Sequence, residues 1–198
     1  ILIIPTVIDY YLFKNELRRT DKINEDLEIV DTLIANLDKR IKKNLIFKPH
    51  PIEIRKKKEF SYSQHFKINY PFVKVYNHKT NLEKLINKSQ LSIFLYLATP
   101  FLENLTLNKP SIMIYHTGFA DTLNEEARTF FDRLLEENLV FKNSKDAANF
   151  LNNYNNSGFS KWWYSEKTQQ ARKVFVNYYV SKHENGLECL LDCLKNSE

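Results

Sequence analysis

Two short segments of this chain hold residue types whose spacing could do chemistry. The first is Leu97-Ala98-Thr99-Pro100-Phe101-Leu102-Glu103, where an apolar run ends and a helical pattern begins at once. Thr99 has the type of an N-cap and Pro100 that of a first helical residue. Free backbone N–H groups at such a start favour an anion by about 0.3–1 kcal/mol at exposed sites, so a diphosphate could sit there without a glycine-rich loop. Counted from Thr99, Glu103 comes one position too late to close a capping box. Among apolar neighbours its carboxylate could accept hydrogen bonds from two vicinal hydroxyls, as a ribose offers; the plain alternative is a solvent-facing helix acid.

The second segment is Lys48-Pro49-His50-Pro51. Two prolines stiffen the turn and hold Lys48 and His50 in fixed directions. A lysine is a point cation for phosphate, and a histidine can donate to it or move a proton. His50 is therefore the candidate catalytic residue; a rigid turn with a surface histidine is the alternative. His116, Asp9 and Tyr10 follow apolar runs that read as strands, and each alone fits ordinary loop chemistry. The expected nucleotide contacts are Lys48, Ala98, Thr99, Pro100, Phe101, Glu103, His116, Asp9 and Tyr10. His65, His78 and His183 have no such placement.

These residues need a scaffold that gathers them. Ile1–Ile4, Leu45–Phe47, Phe72–Tyr76, Leu91–Tyr96, Ser111–Tyr115 and Leu139–Phe141 read as strands. Helical periods fall at 21–43, 81–87, 100–107, 125–137, 146–154 and over much of 160–195. Residues 52–70 read as an irregular excursion with room for a short helix. Strands alternating with helices predict an α/β fold: a Rossmann-like, doubly wound parallel sheet covered on both faces, in the order 3-2-1-4-5-6. In that order strands one and four are neighbours where the winding reverses, and ligands bind beyond their carboxyl ends. The expected division is a nucleotide-binding domain over 1–158 and C-terminal helices over 159–198, which pack on it or on a missing N-terminal domain. The aromatic load of Trp162, Trp163, Tyr164, Phe175, Tyr178 and Tyr179 reads as core or interface.

Composition narrows the function classes. The formal charge is 29 − 24 = +5, with basic residues scattered, which suits an anionic ligand or membrane surface and does not demand nucleic acid. The run Arg55–Lys58 reads as a solvated surface. Only 3 glycines are present, and neither a GxGxxG nor a Walker pattern occurs. Cys189 and Cys193 lie on one helix face without zinc spacing, and they read as small buried hydrophobes of a reducing cytosol. No metal pair or separate cofactor is expected. The chain opens on Ile1 within an apolar strand pattern, so a fragment lacking an N-terminal part is expected.

The stretch NKSQLSIFLYLATPFLENLTLNKPSIMIY, residues 87–115, resembles the nucleotide-binding C-terminal half of GT-B glycosyltransferases. The KPHP turn is similar to the K-x-H-P element of bacterial capsule and teichoic-acid transferases. WWYSEKTQQARKVFVNYY resembles the C-terminal stretch of a bacterial family of surface-carbohydrate transferases of the capsule or lipopolysaccharide type. This resemblance implies a nucleotide-sugar donor, a carbohydrate acceptor, and an activity that transfers a sugar or sugar-phosphate. It places the donor phosphates at Thr99, the ribose at Glu103, and Lys48 and His50 along the phosphate site. It also implies a cytoplasmic protein, peripheral to the inner membrane, whose catalytic base lies in the absent N-terminal half. Two rivals remain: a nucleotide-sugar epimerase of the same architecture, and a non-catalytic scaffold domain at a membrane assembly complex.

Overall fold

The run Leu2–Ile4 has no polar side chain, so it can lie only where both faces are covered. It forms β1, wholly buried, between β2 (Ile46–Phe47) and β4 (Ser92–Phe94). A computed structural model of the chain describes residues 1–5, 19–50, 61–77, 79–97, 99–115, 118–154 and 158–180. Within them a six-stranded sheet runs in the order β3-β2-β1-β4-β5-β6, with β3 at Lys74–Val75, β5 at Ser111–Ile114 and β6 at Val140–Phe141. Every pairing is parallel, and the register sets Leu2 opposite both Ile46 and Ser92. This is the expected doubly wound order, with β1 at its centre.

Helices connect the strands: α1 (Arg19–Asn36), α2 (Lys39–Lys42), α3 (Tyr62–Asn69), α4 (Leu82–Lys88), α5 (Thr99–Thr106), α6 (Glu125–Glu136) and α7 (Ser144–Asn152). Two more, α8 (Gly158–Trp163) and α9 (Glu166–Tyr179), follow the sheet, and α9 packs on α5 and α6. Asn81, Asn124 and Asn143 each accept a backbone N–H at a helix start, and Ser61 and Ser165 do the same. Among the described residues no helix is long and apolar enough to cross a membrane.

The expected helix over 21–43 is broken. Asp38 is extended at φ −63, ψ 150, and α2 restarts behind it. Asn152 fills the break: its Oδ1 accepts from Asp38 N at 2.8 Å, and its Nδ2 donates to Asn36 O at 2.9 Å. The expected strand over 72–76 keeps only Lys74–Val75, and Phe72 is exposed. The excursion over 52–70 contains α3, whose Phe66 stacks on Phe47 at 3.9 Å. Positions 51–60, including the basic run, and both cysteines lie outside the described residues.

Two helix ends are built alike. Asn108 after α5 and Asn138 after α6 take left-handed φ of 54 and 60. Lys109 N reaches Asn104 O and Leu139 N reaches Leu134 O, each at 2.8 Å, closing Schellman turns that lead straight into β5 and β6. Asparagine takes the place glycine usually holds there. Adjacent tryptophans of α8 finish both caps. Trp162 Nε1 donates to Glu137 O at 2.9 Å, and Trp163 Nε1 to Asn108 Oδ1 at 2.9 Å. Replacing Asn108 by Ala leaves a left-handed Cβ and strips an acceptor from Trp163 and Gln169, so stability should fall by about 2–4 kcal/mol. Asn108→Gly, free of the Cβ penalty, should lose roughly 1 kcal/mol less in urea denaturation. An alanine variant as stable as the glycine one would refute this account of the turn.

Candidate functional site

The carboxyl ends of β2, β1 and β4 lie side by side. Lys48 N donates to Ile3 O at 3.2 Å and Leu95 N to Ile4 O at 3.3 Å, so the last residues of β1 bond to both flanking chains. Next-nearest strands in a sheet are about 10 Å apart. The Lys48-Pro49-His50 turn and the approach to α5 therefore border the same gap, one on each side of β1. Lys48 is buried at 5 % exposure, and its Nζ donates to Pro49 O at 2.9 Å. Pro49 is buried as well and His50 half-buried.

Across the gap α5 begins at Thr99, one residue earlier than expected. Its cap position is residue 98, outside the described residues, and Pro100 is the second helical residue. Proline is tolerated there because first-turn N–H groups have no helical partner. Thr99 and Glu103 are both exposed. Four residues apart, they share one face of the helix start. Phe101 is fully buried and meets Phe94 edge-on at 5.5 Å, and Leu105 is buried behind it. The Phe101 ring thus anchors the helix to the sheet, which leaves its backbone N–H as the group a ligand could meet. Ala98, His116, Asp9 and Tyr10 lie outside the described residues.

Tyr115, directly after β5, completes an apolar strand pattern and so carries no separate signal in the sequence. Its side chain is 5 % exposed, and its hydroxyl is the buried side-chain polar atom without a hydrogen-bond partner among the described residues. Ser111, on the same strand, accepts a hydrogen bond from Asn104 of α5 at 3.2 Å. By alternation Tyr115 faces that same side. Burial raises the phenol above its usual pKa, and the Asp132 and Asp121 charges raise it further, so it stays a protonated donor. Burial also raises Tyr96, half-buried where β4 ends. A cavity of about 570 Å³ opens between α1 and the start of α7, lined in part by Glu25, Glu28, Thr32, Tyr115, Lys142 and Lys145.

The far end of α5 is also polar and closed. Arg172 Nη1 donates to Leu105 O at 2.6 Å and its Nε to Gln169 Oε1 at 3.1 Å, while Gln169 Nε2 donates to Asn108 Oδ1 at 3.0 Å. Trp163, Gln169 and Arg172 all fall in the WW…Q-x-A-R stretch that carries the family resemblance, where in the sequence the aromatic residues read as packing and Gln169 and Arg172 have no assigned role. The polar residues at helical spacing behind the tryptophans were the available signal.

A family model described as "LIC12162 family transferase" matches residues 1–194. No curated protein and no solved structure matches the chain.

An unpartnered buried hydroxyl has already lost its water, so removing it costs nothing and relieves desolvation. Tyr115→Phe should leave stability unchanged or raise it by up to about 1 kcal/mol in urea denaturation. A clear loss would mean that the hydroxyl has a partner in the free protein.

Proposed function

The chain belongs to the LIC12162 family of transferases, and from that premise we propose that it binds the nucleotide-activated donor of a GT-B-like transferase acting in surface-carbohydrate synthesis. The observation that carries this reading is the strand order: it sets the Lys48–His50 turn and the start of α5 on either side of β1, at the carboxyl edge where the winding reverses. Open α/β sheets take their ligands at such a crossing.

In this reading the donor's phosphates lie against the first-turn amides of α5. Thr99 offers a hydroxyl, and Lys48 a cation behind the opposite turn. The exposed Glu103 carboxylate accepts the two ribose hydroxyls. His50 sits where it can donate to a phosphate oxygen or carry a proton. The leaving nucleotide gains negative charge as the sugar or sugar-phosphate departs. Preorganised amides and a lysine stabilise that charge without solvent reorganisation, an electrostatic role that needs no metal. The cavity beside Tyr115 has carboxylates on one wall and lysines on the other, a lining suited to the hydroxyls of the transferred sugar or its acceptor. The acceptor-binding half and catalytic base are assigned to another part of the protein, and the site of action to the cytoplasmic side of the membrane.

Isothermal titration with UDP, CDP, GDP and CMP is the direct check. At least one should bind the folded protein, and a folded sample that binds none would overturn the proposal. Glu103→Ala should weaken the bound nucleotide about 10- to 100-fold through loss of charge-assisted hydrogen bonds. In the active enzyme, His50→Gln should lower turnover roughly 100-fold, with a much smaller change in donor affinity. Equal losses in both would make His50 a binding residue only.

A further inference from the structure

Arg172 carries a charge that its surroundings do not require. It is 8 % exposed, and its two hydrogen-bond partners, the Leu105 carbonyl and the Gln169 amide oxygen, are neutral. Arg172 takes no part in the ion pairs of Arg40 with Asp38 and of His65 with Asp31. The Leu105 carbonyl already accepts from Asn108 N at 3.2 Å, so hydrogen-bond satisfaction does not demand a cation there. Burial lowers the guanidinium from its usual pKa, yet arginine stays charged at any ordinary pH. A buried cation with no carboxylate partner among the described residues is balanced there by dipoles. The dipole at hand is α5 itself, whose last turn contains Leu105 and whose negative pole lies there.

The other pole of this helix is the proposed phosphate cradle. Eight residues make α5 about 12 Å long. Arg172 is thus fixed at one end of the helix that presents Thr99 at the other, with the buried Phe101 and Leu105 between. Gln169 locks the guanidinium, since it bonds Arg172, Asn108 Oδ1 and the Trp163 carbonyl at once.

We propose that Arg172 is a positioning residue for the anion site: it fastens the C-terminal pole of α5, and its charge adds to the positive potential at the N-terminal pole. This rests on the nucleotide reading above and names a residue of that site that never touches the ligand. A unit charge about 12 Å away at an effective dielectric near 20 changes affinity by at most about tenfold per ligand charge, and roughly twofold once salt screening is included.

The test compares Arg172→Met and Arg172→Lys with the wild-type protein. Each is titrated with a nucleoside, its monophosphate and its diphosphate, beginning with uridine, UMP and UDP and using the cytidine or guanosine series if that base is the one bound. For Arg172→Met, affinity should fall roughly twofold per ligand charge, so that UDP loses most and uridine nothing. The difference should shrink at 1 M salt, where the Debye length is about 3 Å. Arg172→Lys should keep the wild-type charge dependence. A merely structural role predicts something else: a lower melting temperature with equal losses across the series, or no loss at all, and either outcome overturns the proposal. Should Arg172→Met fail to fold, Arg172→Lys decides alone, because an equal loss for nucleoside and diphosphate would contradict the proposal. A wild-type protein that binds no nucleotide removes the nucleotide reading and this inference together; wild-type binding that Arg172→Met leaves intact removes this inference only.

Discussion

Where α5 begins is decided by how it ends. Its C-terminal carbonyls receive a Schellman turn, a buried arginine and, through Asn108, a tryptophan. With that end fixed and Phe101 keyed against Phe94, the first turn can project only toward the carboxyl edge of the sheet, beside β1. Polar groups buried this deeply are tolerated only when satisfied, so the network also selects one position for the helix. The proposed site thus inherits its geometry from contacts made about 12 Å away, at the opposite end of the helix.

The chain reaches this arrangement with 3 glycines. Asparagine does much of the work that glycine and serine share elsewhere. It supplies the left-handed residue after α5 and α6 and the N-cap of α4, α6 and α7. Its short amide tolerates the left-handed region and adds hydrogen bonds that glycine lacks. At Asn108 the same side chain makes the turn and accepts from Trp163 and Gln169, linking a local backbone requirement to the C-terminal helices.

The architecture was legible because the signals were local and repeated. Apolar runs at Ile1–Ile4 and Leu91–Tyr96, separated by helical periods, imply a parallel sheet with its reversal between those strands, and the observed order is that one. What escaped the sequence was set by distant partners. Periodicity runs through Leu37 and Ile41, but Asn152 interrupts the helix from 114 residues away. The start of α5 moved by one residue, within the usual fraying of helix ends. Thr99 and Glu103 proved to share an exposed face, as four-residue spacing implies, while Phe101 turned into the core. Tyr115 and Arg172 stayed hidden because a hydroxyl without a hydrogen-bond partner and a buried charge without a carboxylate, both among the described residues, are properties of surroundings and leave no pattern along the chain. Asp9, Tyr10, Ala98 and His116 fall outside the described residues, so their part in the site rests on the sequence.

In the proposed site, negative charge is received at the first turn of α5, facing the Lys48–His50 turn across β1. Amide chemical shifts, followed by ¹H–¹⁵N correlation spectra as a nucleoside diphosphate is added, measure this directly. The largest, saturable shifts are expected at the N–H groups of Thr99 and Phe101, with smaller ones at Lys48 and His50. Shifts centred on Lys142–Lys145 at the start of α7, with the α5 amides unmoved, would contradict it.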